Sequence, residues 1–407
     1  MRIEQISIKN FKMFKDVVVG NVSSKPPRPL PQLAVLMGAN GAGKTTFFDV
    51  FGFLSHCLRE NVSAALGQRG GFKEVLSRGC DPSKDSISFE IKFRNTEIDR
   101  KKQPLITYEV IIAEEKGRAV VAKEVLQYRR GQYGAPWKFL QFEHGKGSAI
   151  KNEQDYDSKN AQEQRDEQTL SSPDILAIKG LGQFEKFQAI SSFRKLLEGW
   201  YVANLKIDAA RTLNDVGYSP HLNQDGSNLP QVTQHIFQYY PEIFATILKK
   251  MASRVPGIEE VSALSNEAGQ IMLKFKDGSF KDPFISKWVS DGTLKMFAYL
   301  VLLHDPAPHP LLCIEEPENY LYPELLPPLA EELRDYAQRG GQVFVSTHSP
   351  DFVNALEIEE LLYVVKEKGF SGVKFAEDND VAKKLFKEND KLGWIWQRGY
   401  FRIDGLR

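Results

Sequence analysis

Four stretches of the chain carry side chains whose types and spacing suit chemistry on phosphates. The first is Gly38-Ala39-Asn40-Gly41-Ala42-Gly43-Lys44-Thr45, followed by Thr46, which fits the pattern G-x-x-x-x-G-K-[ST] in full. Chance would produce that pattern in a chain of this length about one time in a hundred. Its glycines let backbone N–H groups wrap phosphates, and a helix N-terminus adds partial positive charge. Lys44 reaches the outer phosphates, and Thr45 offers a hydroxyl to Mg²⁺. The second stretch is the apolar run Leu311-Leu312-Cys313-Ile314, which ends in Glu315-Glu316-Pro317-Glu318. A carboxylate at the tip of a buried strand can hold a magnesium ion and its water shell, and the next can polarise an attacking water. Glu315 takes the first role and Glu316 the second. In the third stretch, His348 follows a second expected strand, Gln342 to Thr347; a lone histidine is more often structural, and its strand-end position makes it a candidate. In the fourth, Ser290 and Gly292 open a helical pattern whose apolar positions are Leu294, Phe297, Ala298 and Val301. A serine hydroxyl with free N–H groups at a helix start either binds an anion or simply caps the helix.

These residues need elements to hold them. Leu33-Ala34-Val35-Leu36-Met37 reads as a short buried strand before the glycine loop, and Phe47, Phe48, Phe51 and Leu54 recur at helical spacing from Lys44 to about Arg59. Residues 3 to 17 begin as a strand, and the prolines from Pro26 to Pro31 mark a break before Leu33. Repeated alternation over residues 86–142, as in Ile87, Phe89, Ile91 and Phe93, predicts antiparallel strands with one wet face. Gly145 to Ser172 is nearly devoid of apolar residues and predicts an exposed, mobile insertion. Helical periodicity returns over 184–205 and 229–251. The last block predicts a helix at 291–304, a strand at 311–314, a helix at 323–338 and strands at 342–347 and 361–366, an α/β order with a largely parallel sheet. The expected segments are 1–142, an N-terminal half with loop and β lobe; 143–172, a polar mobile insertion; 173–283, a helical region; and 284–407, a C-terminal α/β half.

Composition bounds the partners. The 407 residues hold 53 Lys+Arg against 53 Asp+Glu, with 42% apolar residues, which suits two or three structural units. Zero net charge excludes a chain that grips nucleic acid or an anionic membrane across its whole surface, so a polyanion must be held locally. No run of 18 apolar residues spans a bilayer, and the start Met1-Arg2-Ile3-Glu4 lacks the apolar core of a signal peptide. A soluble, cytoplasmic protein without a membrane partner is expected. Cys57, Cys80 and Cys313 have no paired spacing, so reduced thiols are expected, with Cys313 buried.

In the order Gly38–Thr45, Ser290–Thr293, Glu315–Glu318, His348, the chain resembles the ABC-type ATPases of the SMC/RecF/OLD group, and Ile8-Lys9-Asn10-Phe11-Lys12-Met13-Phe14 resembles the first strand of the SMC and RecF proteins. Ser290-Asp291-Gly292-Thr293-Leu294, Cys313 to Asn319 and Thr347-His348-Ser349-Pro350 look more closely like a bacterial family of stand-alone AAA-type ATPases found in anti-phage defence systems. The resemblance implies an α/β fold: an ABC-type P-loop NTPase head with a mixed or parallel sheet, an antiparallel β lobe and an inserted helical lobe. It implies ATP and Mg²⁺ at Gly38 to Thr46, with His348 sensing the γ-phosphate. It also implies a homodimer or higher assembly, in which Ser290 and Gly292 contact nucleotide held by a second copy and Asn319 to Tyr322 line the interface. Glu315 stands where many relatives have Asp. Tyr322 stands where histidine is frequent and receives no catalytic role. Gln127 and Gln141 are candidates for the group's Q-loop glutamine, and Arg78 and Arg211 for phosphate or interface contacts, against ordinary surface roles for all four.

The implied function is a nucleotide-gated switch controlling a separately encoded effector such as a nuclease or toxin. The alternative is a RecF-like repair ATPase that binds duplex DNA. A transporter's nucleotide-binding subunit is disfavoured by the long stretch between Thr45 and Thr293 and by Ser290-Asp291-Gly292 itself. The 59 residues beyond His348 are too few for an OLD-type nuclease domain. Glu377-Asp378-Asn379-Asp380 reads as a solvated acidic loop, and Trp394 with Trp396 as a packing helix face.

Overall fold

The computed structural model describes residues 1–94, 104–129, 136–155 and 162–401. They form two compact units, Met1–Trp200 with Leu362–Asp378, and Tyr201–Leu361 with Asn379–Phe401. The units interleave along the chain, where four consecutive segments were expected.

In the first unit the alternating residues pair as an antiparallel sheet. Its strands run in the order Phe14–Val19, Arg2–Phe11, Ile87–Arg94, Leu105–Glu115, Arg118–Arg129, Trp137–Glu143, Lys146–Ile150, Arg165–Thr169. Ile8 lies opposite Phe89, Phe89 opposite Val110 and Tyr108 opposite Leu126, which puts one apolar set on one face. Against that face packs the helix Lys44–Arg59, buried at Phe47, Phe48, Phe51, Phe53, Leu54 and Cys57. Ring centroids of Phe11–Phe53, Phe11–Phe89 and Phe51–Trp200 lie 5.5, 5.2 and 5.3 Å apart, each worth about 0.5–1.5 kcal/mol beyond burial. Asp49 fixes the helix from its polar side, accepting from Arg69 at 2.6–3.0 Å with Lys12 at 2.6 Å. Burial raises the Asp49 carboxyl, but the bonds from Arg69 and Lys12 outweigh it and hold it below its ordinary value. The strand Leu33–Met37 lies beside a hairpin, Leu361–Glu367 and Phe370–Phe375, with Val364 opposite Val373.

Two expectations need correction here. The segment 143–172, expected as a polar mobile insertion, carries strands of the sheet: Lys146–Ile150 and Arg165–Thr169 pair at its edge, Gly147 opposite Gln168 and Ala149 opposite Asp166. Composition misleads because the pairing is a backbone matter. Arg165 ties it down through Lys138 O at 2.7 Å, Ser148 O at 3.0 Å and Ser148 Oγ at 2.7 Å. Within that segment, 156–161 lie outside the described residues. The strand expected at 361–366 in the C-terminal block belongs almost wholly to the first unit.

The second unit holds the parallel pair Leu311–Glu315 and Val343–Thr347, with Cys313 opposite Phe344, and the helix Leu326–Gln338 joins them. The helix Asp291–Leu303 is buried at every position from Leu294 to Leu303. The periodic run 229–251 becomes two helices, Leu229–Tyr239 and Pro241–Arg254, because Pro241 disfavours helical backbone at Tyr240, whose φ is −137° and ψ 59°. The region expected as helical also contains an antiparallel sheet. Ile258–Ser265 and Gln270–Asp277 form it with the short strands Asn214–Asp215 and Phe284–Ile285, and it buries Ile271, Leu273 and Phe275. In the helix Leu392–Gln397 the buried positions are Leu392, Gly393 and Ile395, while Trp396 is half-buried and Trp394 is 38% exposed, so the tryptophans form the packing face only in part. Among the described residues no helix is long and apolar enough to cross a membrane.

Candidate functional site

In the first unit, Gly38 to Thr46 runs from the strand Leu33–Met37 into the helix Lys44–Arg59. Gly41 (φ 74°) and Gly43 (φ 112°) are left-handed, which a side chain would disfavour. Gly43 is the N-cap, so no side chain caps the helix start, and no acid stands in its first turn. Ala39, Asn40, Gly41 and Thr45 are exposed, Thr46 is half-buried and Ala42 is buried. Lys44 is only 6% exposed, and its ammonium donates to Gly38 O at 2.7 Å and Ala39 O at 3.3 Å, so a positive charge is stored inside the loop. A residue without a sequence signal supports this geometry. Ser371, on the hairpin, donates from Oγ to Ala42 O at 2.5 Å, and a Cβ on Gly43 would meet that Oγ at 2.5 Å. The loop thus combines an uncapped helix N-terminus, a buried cation and an exposed Thr45 hydroxyl, a donor set suited to phosphates with a divalent cation.

The second unit brings together Glu315, Glu316, His348 and the Ser290 helix. Glu315 lies at the end of its strand opposite Ser346, and the Glu316 N–H extends the ladder to Ser346 O at 2.8 Å. The chain then turns sharply: Glu316 has φ 44°, and Asn319 Nδ2 donates to Glu316 Oε2 at 3.0 Å. His348 Nδ1 stands 3.4 Å from both Glu316 Oε1 and Glu318 Oε1, near enough for electrostatic contact but too long for a well-formed hydrogen bond. The firm anchor is Glu318, a residue to which its place in the sequence assigns no role. Its Oε1 accepts from Thr347 Oγ1 at 2.7 Å and from the His348 N–H at 2.9 Å. Glu318 Oε2 is buried without a hydrogen-bond partner among the described residues, an orphaned acceptor beside the site.

Ser290 is the N-cap of Asp291–Leu303; its Oγ accepts from the Thr293 N–H at 3.2 Å and remains exposed. A Cβ on Gly292 would meet Tyr320 O at 3.1 Å, so this glycine lets the turn after Glu316 approach the helix start. Asp291, Lys295, Glu315, Glu316, Asn319 and Tyr320 share a cavity of about 450 Å³ with Asn204–Ala209. Lys295 is 3% exposed; burial lowers its ammonium to about 8 against the opposing charges of Glu318 and Glu316. Neither the spacing nor the helical pattern singled it out.

The remaining candidates sort differently. Arg211 donates to Ser286 O at 2.7 Å, Lys287 O at 2.9 Å and Val289 O at 2.7 Å and pairs with Asp291, so it buttresses the loop before Ser290. Arg78 forms an exposed pair with Glu74 at 2.7 Å. Gln127 and Gln141 sit in the antiparallel sheet, opposite Lys138 and Val125. Glu377 and Asp378 are not a free acidic loop: both pair with Arg28, and Asn379 caps the helix Asp380–Lys387. Cys57, Cys80 and Cys313 are free, and burial pushes the Cys57 and Cys313 thiols up.

Comparison with solved structures defines the class. The SmcHead bound to the C-winged helix domain of ScpA matches at a TM-score of 0.56 and 14% identity, over 92% of this chain and 98% of that one. The Smc head domain with an extended coiled coil, bound to the C-terminal domain of ScpA derived from Pyrococcus furiosus, matches at 0.50 and 15% identity, over 95% and 99%. The fold is that of an ABC-type, SMC-like ATPase head. Residues 33–354 match the family described as AAA domain, putative AbiEii toxin, Type IV TA system, and the chain belongs to that family. No match was found among curated proteins.

Proposed function

We propose that this protein binds ATP with Mg²⁺ and hydrolyses it, acting as a homodimeric, nucleotide-gated switch on a separately encoded effector in bacterial anti-phage defence. The observation that carries the ATPase reading is the pair of prepared sites: the uncapped helix start with its buried Lys44, and the Glu315–Glu316 strand end with His348 fixed by Glu318. Lys44 and the backbone of Gly38 to Thr46 hold the phosphates, while Thr45 and Glu315 would hold the magnesium ion. Bound there, that ion offsets phosphate charge and orients the terminal phosphoryl group. Glu316 takes the proton of the attacking water, and His348 donates toward the terminal phosphate. The solved Smc heads are described with a bound partner protein, and the family's description names a toxin system, which favours an effector partner over an isolated enzyme.

The test separates binding from chemistry. Lys44→Ala is expected to lose nucleotide binding. Glu316→Gln is expected to keep it while hydrolysis falls by roughly 10²-fold or more, in the range of a lost general base. Equilibrium binding of labelled ATP and phosphate release read these out. Hydrolysis by Glu316→Gln at the wild-type rate would remove Glu316 from its role.

A further inference from the structure

A second cluster of chemically capable side chains lies at the opposite ends of the elements that carry Ser290 and Glu315. Asp305 follows the C-terminus of Asp291–Leu303, and His309 precedes the strand Leu311–Glu315. His221 comes from the loop between Asn214–Asp215 and Leu229–Tyr239. One ring nitrogen of each histidine and one oxygen of Asp305 all lie within 4.8 Å of one another, and His221 Nδ1 stands 2.8 Å from Asp305 Oδ2. We propose that His221, Asp305 and His309 bind a transition-metal dication of the zinc class.

Three observations support the site. First, two imidazoles and a carboxylate are a donor set that selects zinc-like ions over magnesium or calcium, which prefer all-oxygen shells. Second, the Asp305 side chain is 3% exposed, and among the described residues its ion-pair partner is His221, with no lysine or arginine. A buried carboxylate needs a compensating charge, and a dication supplies it. Third, Asp305 and His309 are held through their side chains and His221 through its backbone. The Ala307 N–H donates to Asp305 Oδ1 at 2.8 Å, and Tyr201 stacks on His309 at 4.6 Å. Tyr336 Oη donates to His309 O at 2.6 Å, and Asn228 Nδ2 donates to His221 O at 2.8 Å.

A tetrahedral shell with bonds of roughly 2.0–2.2 Å separates its ligand atoms by about 3.3 Å. The three donors, all within 4.8 Å of one another, must therefore adjust toward that spacing, and the His221–Asp305 pair at 2.8 Å must open slightly, an adjustment open to His221, whose side chain is 45% exposed on a loop. The fourth position falls to solvent on that side. The ion ties the loop carrying His221 to the joint between the Ser290 helix and the Glu315 strand, far along both elements from the residues proposed for nucleotide chemistry.

The experiment uses chelator-treated full-length protein titrated with Co²⁺ as a visible probe, then with Zn²⁺ as competitor. Wild type is expected to show one saturable Co²⁺ site with ligand-field absorption that Zn²⁺ abolishes. His221→Ala, which removes a half-exposed ring, is expected to weaken it at least about tenfold while circular dichroism stays unchanged. His309→Ala tests the buried side. Glu315→Gln separates this site from the carboxylates of the nucleotide site and is expected to leave the band intact. The proposal is overturned if wild type shows no saturable binding, if His221→Ala binds as wild type does, or if the band disappears with Glu315→Gln.

Discussion

At Glu316 the backbone adopts a left-handed conformation without glycine, a cost of roughly 1–2 kcal/mol that its hydrogen bonds to Ser346 and Asn319 offset. The conformation turns the chain so that Glu316 and Glu318 both approach His348, whose backbone is bound to Glu318. Glu318 is thus a positioning residue. Replacing it with Ala is expected to lower kcat for ATP hydrolysis about 10–100-fold, the scale of a misplaced catalytic group, with KM nearly unchanged. Glu318→Gln keeps an acceptor for Thr347 and His348 and is expected to recover most of the loss. Parallel loss of kcat and thermal stability in both variants, without rescue, would make Glu318 merely structural.

At the level of elements, the antiparallel sheet is tied to the short helix Ala177–Leu181 by a fully buried carboxylate. Glu124, on the strand Arg118–Arg129, accepts from the Ile178 N–H at 3.1 Å, from the Ala177 N–H and from Tyr108 Oη at 3.0 Å. Burial raises its carboxyl to about 7 from the ordinary 4.5, against the lowering by those donors. The folded protein therefore binds a proton that the unfolded chain releases between these values. The stabilisation is fully present below about 4.5 and is lost as pH rises through about 7. Urea unfolding midpoints across that window are expected to fall more steeply with pH for wild type than for Glu124→Gln, which has no carboxyl to titrate. Equal slopes would show that Glu124 does not carry this dependence.

For the molecule as a whole, the proposed switch needs a second copy. Trp288, Tyr320 and Tyr322, next to Ser290 and Asn319 in sequence, are 71%, 65% and 76% exposed, a concentration of aromatic surface of the kind that interfaces use. Light scattering of Glu316→Gln with ATP and Mg²⁺ is expected to give a dimer, and adding Trp288→Glu is expected to return it to the monomer with nucleotide affinity unchanged in the first unit. A monomer under saturating ATP would end the sandwiched-dimer reading.

Much of this was legible along the chain. The glycine loop, the two apolar strands ending in Glu315 and Thr347 and the helix opened by Ser290 are local patterns, and local backbone chemistry suffices to specify them. The antiparallel lobe was legible too, because alternation marks a strand with one buried face. Pairings between distant segments were not. Ser371 behind the loop, Glu318 under His348, Arg211 behind Ser290 and the edge strands within 143–172 depend on which backbones meet, and neither composition nor periodicity records that. The same limit applies to His221, Asp305 and His309: sequence supplied three separated side chains of no evident pattern. Tertiary structure decided that they face one another, because only folding puts the end of one helix, the start of one strand and a loop within reach of a single ion.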